Sequence, residues 1–245
     1  MPRIDVQIPA PDGTAAGTLH VPDGDGPWPG VVMFPDAMGA REAMATMADK
    51  LSGLGYVVLS PDVYYRNAGW APFDLATAFS DKEERGRLFA LMGSLTNERI
   101  AADATAYADF LLSRPEVRGS AVGTTGYCMG GRMSMVAAGT LGPKIGAAAS
   151  FHGGGIAVED DENSPHRNAG QITAVVYVAG AIEDKSFTSD QAELLRESLQ
   201  QAGVSHTVEF YQAHHGFAVP DNDTYDEQAA ASHYEALASL YGANL

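Results

Sequence analysis

Cys128 is the residue with the clearest chemical potential, because it is the only cysteine and lies between two glycines. It occupies the middle of GYCMGG (126–131), after a strand-like apolar run and before a helix-like run. A nucleophile on such a sharp turn needs small residues two positions away on each side, as Gly126 and Gly130 are, because strand and helix pass closely there. A helix N-terminus also stabilises a thiolate. The pattern predicts a cysteine nucleophile; the alternative is a small buried apolar side chain.

Such a nucleophile needs a histidine base and an acid that orients the base, and the acid comes first along the chain. The loop after a predicted strand at 174–180 contains Asp184, the preferred acid, and its neighbour Glu183. The loop after the last predicted strand contains His214 and His215, and spacing leaves both open as the base. Adjacent loop histidines usually point apart and no zincin-like spacing occurs, so we expect no metal site. We expect surface or core positions for the histidines at 20, 152, 166, 206 and 233.

The segments that position these residues alternate between strand and helix patterns. The chain starts with a predicted hairpin, because RIDVQI alternates in polarity and PDG at 11–13 is typical of a turn. Further strands are predicted at 30–34, 56–60, 121–127, 145–151, 174–180 and 206–211, and helices at 41–54, 97–114, 130–141, 189–202 and 224–241. This alternation predicts an α/β protein with a mostly parallel, doubly wound sheet, in one domain over 1–245. Residues 66–96 interrupt the pattern and are predicted to be an insertion that covers a pocket at the carboxyl ends of the strands.

The composition is that of an ordinary globular protein, with 45% hydrophobic and 19% charged residues. A formal net charge of -16 disfavours nucleic acids and anionic membranes as partners. One cysteine cannot form an internal disulfide, which fits a reducing compartment. The first residues lack the basic and then apolar pattern of a signal peptide, and no run reaches the roughly 18 apolar residues of a membrane span. We therefore expect a cytoplasmic location.

Five stretches together resemble the dienelactone hydrolase family, the carboxymethylenebutenolidase-like α/β-hydrolases, over nearly the whole chain. They are FPDAMG (34–39), GYVVLSPDVYYR (55–66), GYCMGGR (126–132), the Asp184 loop and HHGF (214–217). The resemblance implies an α/β-hydrolase fold with helices on both faces of the sheet. It also implies hydrolysis of lactones or esters by a Cys-His-Asp triad without a cofactor. The family's catalytic histidine precedes a small residue and then phenylalanine, which selects His215.

The resemblance also gives roles to the PDAMG loop. By match, the backbone amides of Ala37 and Met129 would form the oxyanion hole. Asp36 stands where the family places a glutamate beside the cysteine, which helps to control its ionisation, and Asp36 is shorter by one methylene. The alternative is that Asp36 caps a turn, for which aspartate is well suited.

Departures from the family pattern concern the substrate. The prototype holds a substrate carboxylate with two arginines; Arg85 matches one, Arg87 lies close by, and Val219 occupies the place of the other. Asp36 and Arg85 are therefore the predicted substrate-binding residues, although Arg85 could equally be a helix-surface residue in a glutamate-rich run. Two pocket aromatics of the prototype correspond to Phe89 and Met92. The pocket is thus predicted to be more apolar than the prototype's and to favour neutral substrates.

The sequence predicts a hydrolase of small esters or lactones. Cys128 attacks the carbonyl, His215 accepts its proton and later activates water, and Asp184 orients His215. Two alternatives stay open: a thioesterase or acyl transferase with the same triad, and a non-catalytic α/β-hydrolase that acts as a binding protein. The expected partner is a small ester or lactone, with neither nucleic acid nor membrane, and the protein is either a monomer or a homodimer.

Overall fold

A mixed sheet of eight strands organises the part of the chain that the structure, a computed structural model, describes. That part is residues 2–245, so Met1 of the predicted 1–245 domain lies outside the described residues. The strands are β1 (Arg3–Ala10), β2 (Gly13–His20), β3 (Trp28–Phe34), β4 (Val57–Pro61), β5 (Val117–Tyr127), β6 (Ile145–Phe151), β7 (Val175–Ala181) and β8 (His206–Tyr211). Their order in the sheet is β1-β2-β4-β3-β5-β6-β7-β8. β2 pairs antiparallel with β1 and β4, and the pairs from β4 to β8 are parallel.

Helices cover both faces of this sheet. They are α1 (Glu42–Ser52), α2 (Lys82–Gly93), α3 (Asn97–Leu112), α4 (Met129–Leu141), α5 (Ser189–Gln201) and α6 (Glu227–Asn244), with short 3-10 helices at Gly142–Lys144 and Pro165–Gln171. Helices α3, α4 and α5 share a buried apolar cluster with Val32 and Phe34 of β3. Helices α1 and α6 share the cluster of the opposite face with Val31 and Met33. Because both faces of β3 are covered, its side chains are apolar without alternation.

The predicted architecture, a mostly parallel sheet with an N-terminal antiparallel hairpin and flanking helices, is confirmed. Helix α2, inside the predicted insertion at 66–96, and the two 3-10 helices were not among the predicted elements, and the other differences lie at element ends. The strand predicted at 121–127 begins earlier, at Val117, and the helix predicted from 224 begins at Glu227. The later start of α6 has a clear cause, because the Asp226 carboxylate accepts a hydrogen bond from the Ala229 amide and caps the helix. Between residues 2 and 245, no helix is long and apolar enough to cross a membrane.

Candidate active site

Cys128 lies on a strained turn between β5 and α4. Its backbone has φ 53° and ψ -115°, a region that residues with a side chain rarely adopt. A Cβ atom at position 126 would lie 1.9 Å from the Gly130 carbonyl oxygen. A Cβ at position 130 would lie 2.4 Å from the carbonyl oxygen of Phe34. The steric reason predicted for the two glycines is therefore confirmed, and the turn presents the thiol at the start of α4.

His215 and Asp184 meet beside this turn, on the loops after β8 and β7. The His215 Nδ1 atom is 2.7 Å from Asp184 Oδ2. The other carboxylate oxygen accepts hydrogen bonds from the backbone amide and hydroxyl of Ser186, at 2.8 and 2.6 Å. Burial alone would raise the pKa of Asp184, but the hydrogen bonds from His215 and Ser186 hold it below its usual range. Asp184 is thus an ionised acceptor that fixes the orientation of the imidazole.

The electrostatics favour a protonated imidazole at His215. Burial lowers its pKa, but hydrogen bonds with Asp184 and Cys128 outweigh burial and raise the pKa to about 10. An imidazolium beside a cysteine stabilises the thiolate, which is the nucleophilic form. His215 is therefore held in its charged form beside Cys128, with the Asp184 carboxylate bound to its Nδ1 atom.

The neighbours that competed for these two roles point elsewhere. His214 is exposed and lines neither of the cavities at Cys128, and Glu183 is exposed with φ 57°. Glu183 has a left-handed backbone conformation and immediately precedes Asp184, whose carboxylate binds His215.

The loop after β3 carries Ala37, one of the two predicted oxyanion donors. Its carbonyl oxygen accepts a hydrogen bond from the buried hydroxyl of Tyr64, at 2.9 Å. Met129, the other predicted donor, is the first residue of α4, so its amide has no acceptor within the helix. Tyr64 belongs to the PDVYYR stretch, and its support of the Ala37 loop was not foreseen from the sequence.

The carboxylate of Asp36 is bound by an arginine instead of standing free in the site. Arg41 binds its two oxygens at 2.6 and 2.9 Å, and the Met38 amide donates to Oδ1 at 3.0 Å. Arg41 also binds both oxygens of Asp221, each at 2.8 Å, and so joins the loop after β3 to the loop that follows His215. The bond from Met38 confirms the turn-capping interpretation. Substrate binding by Asp36 stays a prediction.

Cys128 lies where two cavities meet, which we call the acidic lobe and the apolar lobe. The acidic lobe has a volume of about 490 Å³, and four aspartates are among its lining residues: Asp36, Asp74, Asp221 and Asp223. The apolar lobe has a volume of about 560 Å³, and its apolar lining includes Phe79, Phe89, Met92, Leu95, Ile100 and Met133. Both lobes are lined by Ala37, Phe79, Cys128 and His215. The site can therefore receive different chemical groups on its two sides.

The predicted substrate arginine does not line either lobe. Arg85 is exposed on α2, and as a substrate contact it stays a prediction. Arg87 binds the Glu84 carboxylate and the Ala71 carbonyl oxygen, with its guanidinium 3.8 Å from the centre of the Phe73 ring. Val219, matched to the prototype's other arginine, is fully buried in the core and lines neither lobe.

His152 is a site residue that the sequence interpretation missed. It follows β6 directly, has φ 40°, and is fully buried in the wall of the acidic lobe. Its Nδ1 atom accepts from the Cys128 amide at 3.2 Å, and its ring centroid is 5.1 Å from that of His215. Burial holds its pKa well below the usual range. The available signal was its position at the carboxyl end of a central strand.

Within the described residues 2–245, there is no cluster of three or more His, Cys, Asp or Glu side chains that could hold a metal ion.

Comparison with known proteins agrees with the fold. The model of the dienelactone hydrolase family matches residues 15–245. A Synechocystis protein provisionally named carboxymethylenebutenolidase is 26% identical, over 98% of this chain and 96% of its own. The crystal structure of a provisionally named dienelactone hydrolase from Klebsiella pneumoniae has a TM-score of 0.83 at 22% identity, covering 98% of each chain. A dienelactone hydrolase-like promiscuous phosphotriesterase from metagenomic libraries has a TM-score of 0.77 at 25% identity, covering 99% of this chain and 98% of its own. Because the family model covers almost all of it, this chain is a hydrolase of the α/β-hydrolase fold and belongs to the dienelactone hydrolase family.

Proposed function

We propose that this hydrolase cleaves small esters or lactones with Cys128 as nucleophile, His215 as base and Asp184 as orienting acid. One observation carries the proposal. His215 lines the same two cavities as Cys128. The Asp184 carboxylate binds the Nδ1 atom of His215 at 2.7 Å, which leaves Nε2 for the thiol and the substrate.

Acylation is the first half of the proposed reaction. The Cys128 thiolate attacks the ester carbonyl carbon, and a carbon–sulfur bond forms as the carbonyl oxygen becomes an oxyanion. The carbon–oxygen bond to the alcohol then breaks, and His215 gives its Nε2 proton to the departing oxygen. The products of this half are a free alcohol and a thioester on Cys128.

Deacylation returns the enzyme to its starting state. A water molecule attacks the thioester carbonyl while His215 takes its proton, and the carbon–sulfur bond breaks to release the acid and the thiolate. These steps use only water and groups of the protein. A lactone follows the same course, except that the alcohol stays attached to the acyl group.

The oxyanion of both steps needs donors that are already in place. The amides of Ala37 and Met129 are the proposed donors, because they flank Cys128 on the loop after β3 and at the start of α4. A single donor of this kind is worth about 10² to 10³ in rate. The hydroxyl of Tyr64, bound to the Ala37 carbonyl, supports the orientation of that peptide.

We further propose that residues 66–96 cover the pocket of a single domain. The support is that residues of this segment line both lobes: Leu75 and Phe79 the acidic lobe, and Phe79, Phe89 and Met92 the apolar lobe. A cytoplasmic location, favoured by the lone cysteine, belongs to the same proposal.

A substrate panel tests the catalytic proposal. Lactones, aryl esters and thioesters are offered to the wild type and to Cys128→Ala, with circular dichroism to confirm that the variant is folded. We expect turnover by the wild type, less than a few per cent of it in the variant, and an acyl adduct on the Cys128 peptide by mass spectrometry after rapid quenching. Activity in folded Cys128→Ala would remove the thiol from the mechanism. A wild type without any hydrolysis would favour the binding-protein alternative.

A further inference from the structure

The two lobes differ in polarity, although both open onto the same nucleophile. In the acidic lobe, Asp36 and Asp221 share Arg41, whereas Asp74 and Asp223 form no ion pair with any cation among residues 2–245. In the apolar lobe, the only carboxylate is Asp184, which is already bound to His215. A substrate that spans Cys128 therefore meets a more polar lining on one side and a more apolar lining on the other.

The proposed reaction places different demands on its two halves. After acylation, the acyl group stays bound to Cys128, while the alcohol leaves and a water molecule takes its place next to His215. The cavity that holds the alcohol must therefore accept water during every turnover. Removing a carboxylate from water is costly, so water stays next to it, whereas removing apolar side chains from water is favourable.

We propose that the apolar lobe binds the acyl group of the substrate and that the acidic lobe receives the alcohol and then supplies the deacylating water. This inference rests on the proposed function and adds to it a substrate class, esters with an uncharged alkyl or aryl acyl group. In chemical terms, the carbon–sulfur bond forms with the acyl chain in the apolar lobe. The carbon–oxygen bond breaks toward the acidic lobe, and water re-enters from that side as the carbon–sulfur bond breaks.

The cations of the apolar lobe are consistent with an uncharged acyl group. Arg132 donates from Nη1 to the Gly155 carbonyl oxygen and from Nη2 to the oxygens of Asn97 and Asn163. These bonds hold its guanidinium in the wall. Lys185 is exposed, so water solvates its charge at the rim. Most of the other side chains that line the lobe are apolar, and the polar ones among them are Asp184, Ser186 and His215, which are bonded to one another.

Two substrate series measure the two lobes separately. The acyl series consists of 4-nitrophenyl esters from acetate to hexanoate, and the alcohol series consists of acetate esters from ethanol to hexanol, followed by pH-stat titration. In the wild type we expect kcat/KM to rise about threefold to fourfold for each methylene of the acyl series, the value of a buried methylene. The alcohol series should rise much less, because its added methylenes enter the acidic lobe.

Lobe-filling variants distinguish this assignment from a general preference for apolar substrates. Met92 lies in the apolar lobe and Leu75 in the acidic lobe, and neither is fully buried, so a larger side chain is tolerated at both. Met92→Trp should abolish the rise of the acyl series beyond butyrate and leave the slope of the alcohol series as in the wild type. Leu75→Trp should change the slope of the alcohol series alone. Leu54→Trp, on an exposed turn that lines neither lobe, is the matched control.

The outcomes separate the two proposals. The lobe assignment is overturned if kcat/KM rises more per methylene in the alcohol series than in the acyl series. It is also overturned if Met92→Trp alters only the alcohol series. Both results leave the catalytic proposal intact. Equal slopes in both series also overturn the assignment. A wild type that hydrolyses neither series overturns the catalytic proposal itself, and the lobe assignment with it.

Discussion

The backbone amide of Cys128 donates a hydrogen bond to the Nδ1 atom of His152 at 3.2 Å, and shares the same amide with the Phe151 carbonyl oxygen at 3.1 Å. An Nδ1 atom that accepts carries no proton, so His152 is the neutral tautomer with its proton on Nε2. Its burial agrees, because burial holds its pKa well below the usual range. The imidazole therefore holds the nucleophile's backbone while it packs against the ring of His215.

The first prediction concerns this positioning role. His152→Phe keeps an aromatic ring but loses the acceptor, whereas His152→Asn keeps a short acceptor. We expect kcat to fall about fivefold in His152→Phe, with KM nearly unchanged, because a weakened bond to the turn costs about 1 kcal/mol. His152→Asn should recover part of the loss. Stopped-flow and steady-state kinetics check the split, and equal losses of kcat in the two variants would show that Nδ1 has no part in positioning.

The fold and the turn at Cys128 could be predicted because local rules determine them. Apolar runs such as 30–34 indicate strands covered on both faces, and close packing of strand and helix requires glycine at 126 and 130. These signals lie within a few residues of the feature that they predict.

Contacts between distant segments could not be predicted in this way. His152 reaches Cys128 because β6 lies next to β5, and Arg41 reaches Asp221 across 180 positions of the chain. Asp184, the acid preferred from the sequence, binds His215 in the structure, but the residue types alone did not exclude its neighbour Glu183. Such contacts depend on strand order and loop geometry and leave no local pattern.

A second prediction distinguishes the adjacent histidines. His215→Ala removes the proposed base and should lower kcat by at least about 10², the lower limit for loss of general acid–base catalysis. His214→Ala changes an exposed side chain that lines neither lobe and should cost far less. Both variants are compared with the wild type on one 4-nitrophenyl ester at a fixed pH. A larger loss in His214→Ala would show that the histidine assignment is wrong by one residue.

The third prediction follows from the raised pKa of His215, about 10. A raised pKa stabilises the folded state fully below the unfolded value of about 6.5, and this contribution is lost as the pH rises toward 10. The lowered pKa of Asp184 acts at the acid end, where its contribution is lost only as the pH falls below about 4. The His215–Asp184 pair should therefore stabilise the protein most between about pH 4 and 6.5.

Asp184→Asn tests this pH dependence. Urea unfolding at pH 5.5, 7.5 and 9.5 gives the difference in unfolding free energy between the variant and the wild type. We expect the difference to be largest at pH 5.5 and to shrink at each higher pH. Asp190→Asn, a change on the exposed first turn of α5, serves as the control with no comparable trend. A difference that grows with pH would contradict the charged form of His215.

The last prediction concerns Val219, which the family pattern matched to a substrate-binding arginine. Val219 is fully buried in the same apolar cluster as Phe217 and residues of α6, and it lines neither lobe. Its amide donates to the Gly216 carbonyl oxygen at 3.0 Å, within the loop that carries His215. An arginine here would have to bring its charge into an apolar cluster without a partner, which costs several kcal/mol.

Val219→Arg should therefore lower the melting temperature strongly, or prevent folding, and should not create a preference for substrates with a free carboxylate. Val219→Ala, which removes two methyl groups and adds no charge, should cost much less. Calorimetry gives the melting temperatures of both variants, and kcat/KM for a free-acid lactone and its methyl ester gives their substrate preference. A folded Val219→Arg enzyme that prefers the acid would show that position 219 faces the substrate after all.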